Sequence, residues 1–276
     1  MRHERYEPNR MLKKGIKAWG PMVVELWEAR ELASRLFMRN LAARYKQAFL
    51  GFLWAVIVPF VAIGTFIFLN RMGIVNIGKT DVPYPLFALL GLSAYQLFST
   101  GITASCGALV EAGDMIAKVN FPREVLVIAA IAQAVFELLI KMALIAAVCI
   151  YYQYLPPVMA LMAVAALLPL LVLTMGLGLI LSLANAVVRD TAQAVGILMT
   201  FLMFLTPVLY PAVGPRAFWL RVNPLTALIE GPRDLFIYGS LRHPTAFWVV
   251  SSAALLILLC AWRVFHLVET KVPERL

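Results

Sequence analysis

Of the 276 residues, 62% are hydrophobic and only 14% charged, whereas ordinary soluble domains carry about 25% charged residues. The apolar residues come in long blocks, not in the alternation of barrel strands, which excludes a soluble globular domain and a β-barrel and predicts an all-α polytopic membrane protein. The net charge of +9 gathers early, with eleven of the 24 Lys and Arg residues ahead of residue 52, which reads as a cytoplasmic N-terminus under the positive-inside rule; Glu25, Glu28 and Glu31, interleaved with these bases, argue against a nucleic-acid partner.

Residues 1–20 form a basic cytoplasmic tail, too polar for a cleavable signal peptide. Residues 21–47 predict an interfacial amphipathic helix. Glu25, Glu28, Glu31, Arg35 and Arg39 share one face; Val23, Leu26, Trp27, Ala33, Phe37 and Leu41 share the other, with Arg30 snorkelling from the apolar side. Residues 48–276 predict a transmembrane domain of six spans, at about 52–70, 84–110, 125–152, 157–184, 191–211 and 245–266. An even number returns the C-terminus to the cytoplasm. The polar stretches 111–124 and 187–190 then face the cytoplasm, and 71–83, 153–156 and 212–244 lie outside. The last is too polar to span and too apolar for a solvated loop. It predicts two short re-entrant helices, Pro224–Leu228 and Arg233–Tyr238, broken at Gly231-Pro232. Six spans enclose little space, so a wide conduit calls for a second copy of the chain.

Glu111 to Glu124, EAGDMIAKVNFPRE, is a polar island between two apolar runs that are each long enough to cross the membrane. Ala112–Val119 predicts about two turns of helix with an apolar side of Met115, Ile116 and Val119, redirected at Pro122. A short charged helix on a membrane face suits a docking partner that pushes on it.

Gly73 to Thr80 satisfies the spacing of a phosphate-binding loop. It follows a membrane span, not a strand, and leads into Asp81-Val82-Pro83, so it is read as a coincidence and the chain has no ATPase of its own. No Ser/His/Asp, paired-carboxylate or metal-ligand constellation is present, and Cys106, Cys149 and Cys260 stand singly; neither a catalytic residue nor a metal is expected. Glu137 and Lys141, four apart within a span, predict an intramembrane ion pair that neutralises itself. Trp54, Tyr95, Phe98, Phe201, Phe204 and Tyr210 are candidate conduit aromatics, because aromatic faces offer sugars a sliding contact; belt and core positions are the alternative.

Four stretches together resemble the permeases of ABC exporters for lipid-linked polysaccharides, the O-antigen, capsule and teichoic-acid group. They are Arg44-Tyr45-Lys46-Gln47 through Gly51 and Trp54; Met115-Ile-Ala-Lys-Val-Asn-Phe-Pro-Arg-Glu-Val; Arg189-Asp190 with Leu205-Thr-Pro-Val-Leu-Tyr-Pro211; and Asn223-Pro-Leu-Thr with Arg233-Asp234. The resemblance implies a homodimer in the bacterial inner membrane, working with two copies of a separate ATPase subunit that binds the ATP and Mg; this chain would bind no cofactor itself. It implies that the island is a coupling helix, with Asp114, Lys118, Asn120, Phe121, Pro122 and Arg123 as coupling residues and Phe121 as the apolar anchor. Arg44 and Lys46 would meet the pyrophosphate of a polyprenyl-pyrophosphate-linked glycan at headgroup level.

Two other readings stay open. One is a permease of the same fold that carries a drug or another lipid. An integral membrane enzyme of glycan assembly would need acidic metal-binding clusters, and the one acid pair near a membrane face is Glu111/Asp114, which the coupling reading uses.

Overall fold

The computed structural model describes residues 19–45, 53–74, 78–119, 121–212 and 217–268. Every regular element among them is a helix: α1 Trp19–Glu28, α2 Arg30–Tyr45, α3 Leu53–Arg71, α4 Tyr84–Glu111, α5 Gly113–Lys118, α6 Glu124–Tyr151, α7 Ala160–Ala165, α8 Leu168–Val187, α9 Asp190–Phe204, α10 Ala217–Val222, α11 Pro224–Tyr238 and α12 Pro244–Val268.

α4 is the hub. It packs against α6 and α8, α8 packs on α12, and α2 lies along α6. Close approach is written into the sequence: a Cβ at Gly101 would stand 2.6 Å from Thr174 of α8, and one at Gly176 would stand 2.9 Å from the backbone of Leu258 in α12. Asn185 donates to Cys106 O at 2.9 Å and accepts from Ala192 N at 3.2 Å, tying α8 to α4 and to the first turn of α9.

Among the described residues, four helices are long and apolar enough to cross a membrane: Tyr84–Glu111, Glu124–Tyr151, Ala160–Val187 (α7 with α8) and Pro244–Val268. Val56–Arg71 and Asp190–Phe204 are apolar but shorter, so four of the six expected spans have full length. The 15 residues of α9 reach about 22 Å at 1.5 Å per residue. The span expected at 191–211 stops early because Pro207 and Pro211 cannot continue it. The span expected at 157–184 bends between α7 and α8, where Pro169 sits in the first turn of α8.

Two further expectations are corrected. The chain does not break at Gly231-Pro232. α11 runs unbroken from Pro224 to Tyr238 with Pro232 inside it, and the boundary between two helices falls at Asn223. An interior proline costs about 3 kcal/mol; the burial of both residues opposes that cost, and Gly231 lies against α12, where a Cβ would stand 2.5 Å from the Phe247 ring. The interfacial helix, in turn, is divided at Ala29 and meets the bundle through Leu36, helped by Leu26, Leu32 and Phe37. Val23 and Trp27, expected on the packed side, are exposed.

Candidate functional site

Polar groups gather at the two ends of α4, whose 28 residues separate them by about 42 Å. At the Glu111 end, Ala112 alone separates α4 from α5, and the fourth residue beyond α5 is Pro122, whose carbonyl accepts from Val125 N in the first turn of α6. Val119 is extended (φ −131°, ψ 133°) and closes α5. Ile116 is buried and Met115 half-buried against Leu109, Ala112 and Val125, so the loop is seated on the bundle. Asp114, Lys118 and Val119 are exposed. Asp114 lies in the first turn of α5 and Lys118 in the last, the placement that a helix dipole favours.

Of the expected coupling residues, Pro122 and Arg123 are half-buried at the start of α6, and Asn120 lies outside the described residues. Phe121 is half-buried and packs in part against this chain's own cluster, whereas the neighbouring apolar side chain of Val119 is 54% exposed.

Beside this loop a cavity of about 390 Å³ opens between α2, α4 and α6. Arg39 and Asn40 of α2 face Glu111 of α4 and Gln133 of α6 across it, and alanines of α4 and α6 leave the space. Arg39 donates to Asn40 Oδ1 at 3.2 Å and 3.3 Å. Arg44 falls in the last turn of α2, its side chain outside the described residues, and Lys46 lies outside them altogether. Arg39 was legible only as one base on a polar face. Its place on the cavity follows from the packing of α2 on α6.

Glu124 and His266 were missed by sequence reasoning. The Glu124 carboxylate at the foot of α6 meets the imidazole of His266 in the last turn of α12 at 3.0 Å, with both side chains buried. Their separation of 142 residues leaves no spacing signal to read. Glu25 of α1 feels the same charges. Burial raises its pKa above the ordinary carboxylate value, with Glu124 and Glu28 adding to the rise and His266 opposing it.

At the Tyr84 end, segments far apart in sequence meet. Asn223 caps α11 by accepting from Leu225 N at 3.0 Å, and its Nδ2 donates to Thr206 Oγ1 at 2.9 Å. Arg233, buried, donates to Pro207 O at 2.9 Å and to Glu230 at 3.3 Å, and its guanidinium stacks 4.1 Å from the Phe87 ring centroid. Asp81 accepts from Tyr238 at 2.5 Å and from Arg242 at 3.0 Å, while Arg242 lies 3.7 Å over the Tyr238 ring. These bonds hold the Asp81 carboxyl below its usual range. The phosphate-loop-like stretch ends here; it follows α3, a helix, and Lys79 and Thr80 stand at the mouth of a cavity of about 220 Å³ beside Asp81.

In the membrane interior Lys141 Nζ lies 3.9 Å from Glu137 Oε2, both buried, as the spacing predicted. The aromatics divide. Tyr95 and Phe98 are corrected as conduit residues: they are 3% and 2% exposed inside the core, and the Tyr95 hydroxyl donates to Met199 O. Tyr210 is half-buried, with its hydroxyl on Phe204 O. Trp54, Phe201 and Phe204 are exposed on α3 and α9.

Residues 31–237 match the membrane-protein family described as ABC-2 type transporter. The chain is 27% identical to the O-antigen export system permease protein RfbA of Myxococcus xanthus over 251 residues, which cover 89% of this chain and 95% of that one. It is 26% identical to the protein of the same name from Klebsiella pneumoniae over 210 residues, covering 74% and 80%. It is 28% identical to the polysialic acid transport protein KpsM of Escherichia coli over 212 residues, again 74% and 80%.

Proposed function

From the premise that this chain belongs to the ABC-2 type transporter family, and is therefore a multi-pass membrane transport component that works with an ABC ATPase, we propose that it is the permease subunit of an exporter moving a lipid-linked polysaccharide from the cytoplasm across the bacterial inner membrane. Both termini face the cytoplasm. Two copies of this chain pair with two copies of a separate ATPase subunit, which binds the ATP and Mg.

The observation that carries the coupling role is the seating of α5. It follows α4 after Ala112 alone, buries Ile116 in the core that α4 and α6 share, and presents Asp114, Lys118 and Val119 outward. A partner that displaces α5 on nucleotide binding therefore moves two long helices together. Because packed cores rearrange between discrete states and do not stretch, that push becomes a shift of α4 against α8. The cavity beside α5 supports the same reading: Arg39 offers charge-assisted bonds to a phosphate at headgroup depth, while Asn40 and Gln133 offer neutral ones. Arg44 and Lys46 extend this basic approach along the chain.

The polysaccharide assignment draws on the relatives named for O-antigen and polysialic acid export. In cells lacking the chain, lipid-linked glycan is expected to accumulate on the inner leaflet, and expression of the chain with its ATPase to restore it to the outside. Restored drug resistance with the glycan still inside would favour the drug-permease alternative.

A further inference from the structure

The cavity at the Tyr84 end of α4 belongs to no part of the coupling route. We propose that it is a sugar-binding site on which the exported glycan rests as it leaves, contacting the hydroxyls of one or two rings. This rests on the export reading, under which that end of the bundle faces outward.

Three observations select the ligand class. First, the charges on the lining cancel: Lys79, Arg233 and Arg242 stand against Asp81, Glu230 and Asp234. A phosphate or another anion meets no net positive field here, although the spacing of Gly73 to Thr80 resembles that of a phosphate loop. Second, the guanidiniums already serve internal partners. Arg233 is spent on Pro207 O and Glu230, and Arg242 on Asp81. An anion must break these bonds to bind, whereas a hydroxyl, which donates and accepts at once, can add to their edges. Third, the cavity measures about 220 Å³, below the range of about 300–1,000 Å³ for drug-sized ligands and suited to a sugar ring.

The site is also held in shape. Arg233 is 4% exposed and Asp234 7%, Asp234 accepts from Arg242 N at 3.3 Å, and a Cβ at Gly91 would stand 2.3 Å from Val208 O, so the turn after α9 presses directly on α4. Donors and acceptors on such a support need no reordering when a ligand arrives.

The test uses the full complex with its ATPase in lipid nanodiscs, with methyl glycosides of hexoses and N-acetylhexosamines as probes and inorganic phosphate as the contrast, read by saturation-transfer NMR. Methyl glycosides are expected to bind weakly and phosphate not to compete. Ala212→Trp, which fills the cavity and leaves every charge in place, should abolish the signal, and the double variant Lys79→Ala/His243→Ala at the exposed rim should weaken it about tenfold. The proposal is overturned if no glycoside binds the unaltered complex, if Ala212→Trp folds and leaves binding unchanged, or if phosphate binds in preference. Should Ala212→Trp not fold, the rim variant decides alone, and unchanged binding there overturns the proposal. Moving lipid-linked glycan with the unaltered complex in parallel separates the two readings: failure to move it sinks the export assignment, whereas normal movement without glycoside binding sinks only this site.

Discussion

His266 in the last turn of α12 lies 3.0 Å from Glu124 at the foot of α6, with side-chain exposures of 1% and 2%. The pair fastens the C-terminal helix to the start of α6, the segment that follows α5, so under the proposed coupling role a displacement of α5 would reach α12. A buried group deprived of its hydrogen-bond partner costs about 1–3 kcal/mol. His266→Ala is therefore expected to lower the unfolding temperature of the purified complex by several degrees and to reduce glycan-stimulated ATP hydrolysis. An unchanged melting curve would mean that the pair does not brace the loop.

Glu25 contributes a pH dependence of opposite sign to that of most carboxylates. Its pKa is raised in the fold, chiefly by burial, so the folded state holds the proton more tightly. Its stabilising contribution is present below the unfolded value of about 4.5 and is lost as pH rises through the folded value. Hydrogen exchange in residues 19–28, corrected for intrinsic rates, should show firmer docking at pH 4.5 than at pH 7.5. Glu25→Gln should remove that difference and dock firmly at both.

Asp81 behaves the other way. Tyr238 and Arg242 depress its pKa, so the link between the segment before α4 and the end of α11 is intact above the ordinary carboxylate value and opens as pH falls through the lowered one. Exchange in residues 234–242 should stay flat from pH 5 to 8. Asp81→Asn should raise it across that whole range, because the amide takes away the charge that holds Arg242.

Much of this was legible in the sequence, because long apolar blocks have one outcome in a membrane: α4, α6, α8 and α12 lie where hydropathy put them. Glu137 and Lys141 could be paired from a spacing of four. What escaped depends on contacts that no local pattern contains. The helical pattern of residues 21–47 does not say which of its apolar side chains meet the bundle: Leu36 packs there, while Trp27 is exposed. Gly231-Pro232 reads as a breaker until Phe247 is laid against it. Tyr95 and Phe98 look like any aromatics near a span end, and only the neighbouring helices show that they are core. The motif residues Thr206, Pro207, Asn223 and Arg233 were conspicuous singly; their mutual hydrogen bonds were not.

The Glu137–Lys141 pair separates structural from transport roles. Glu137→Ala removes one member of a buried ion pair, a change that costs about 3–5 kcal/mol, and should sharply reduce the yield of folded protein. Glu137→Leu/Lys141→Leu removes both charges and should recover most of that yield. Recovered yield with full export makes the pair a neutralised packing element; recovered yield with export lost would assign it to transport.

The most direct measurement is photo-crosslinking from position 119 in native membranes, with a photoreactive amino acid in place of Val119 and a matched probe at exposed Leu155 as the control. An adduct between position 119 and an ATP-binding subunit, present in equal amount to this chain and absent from position 155, is what a coupling role for α5 predicts. A position 119 probe that captures only lipid, while the chain purifies without any ATPase, contradicts it.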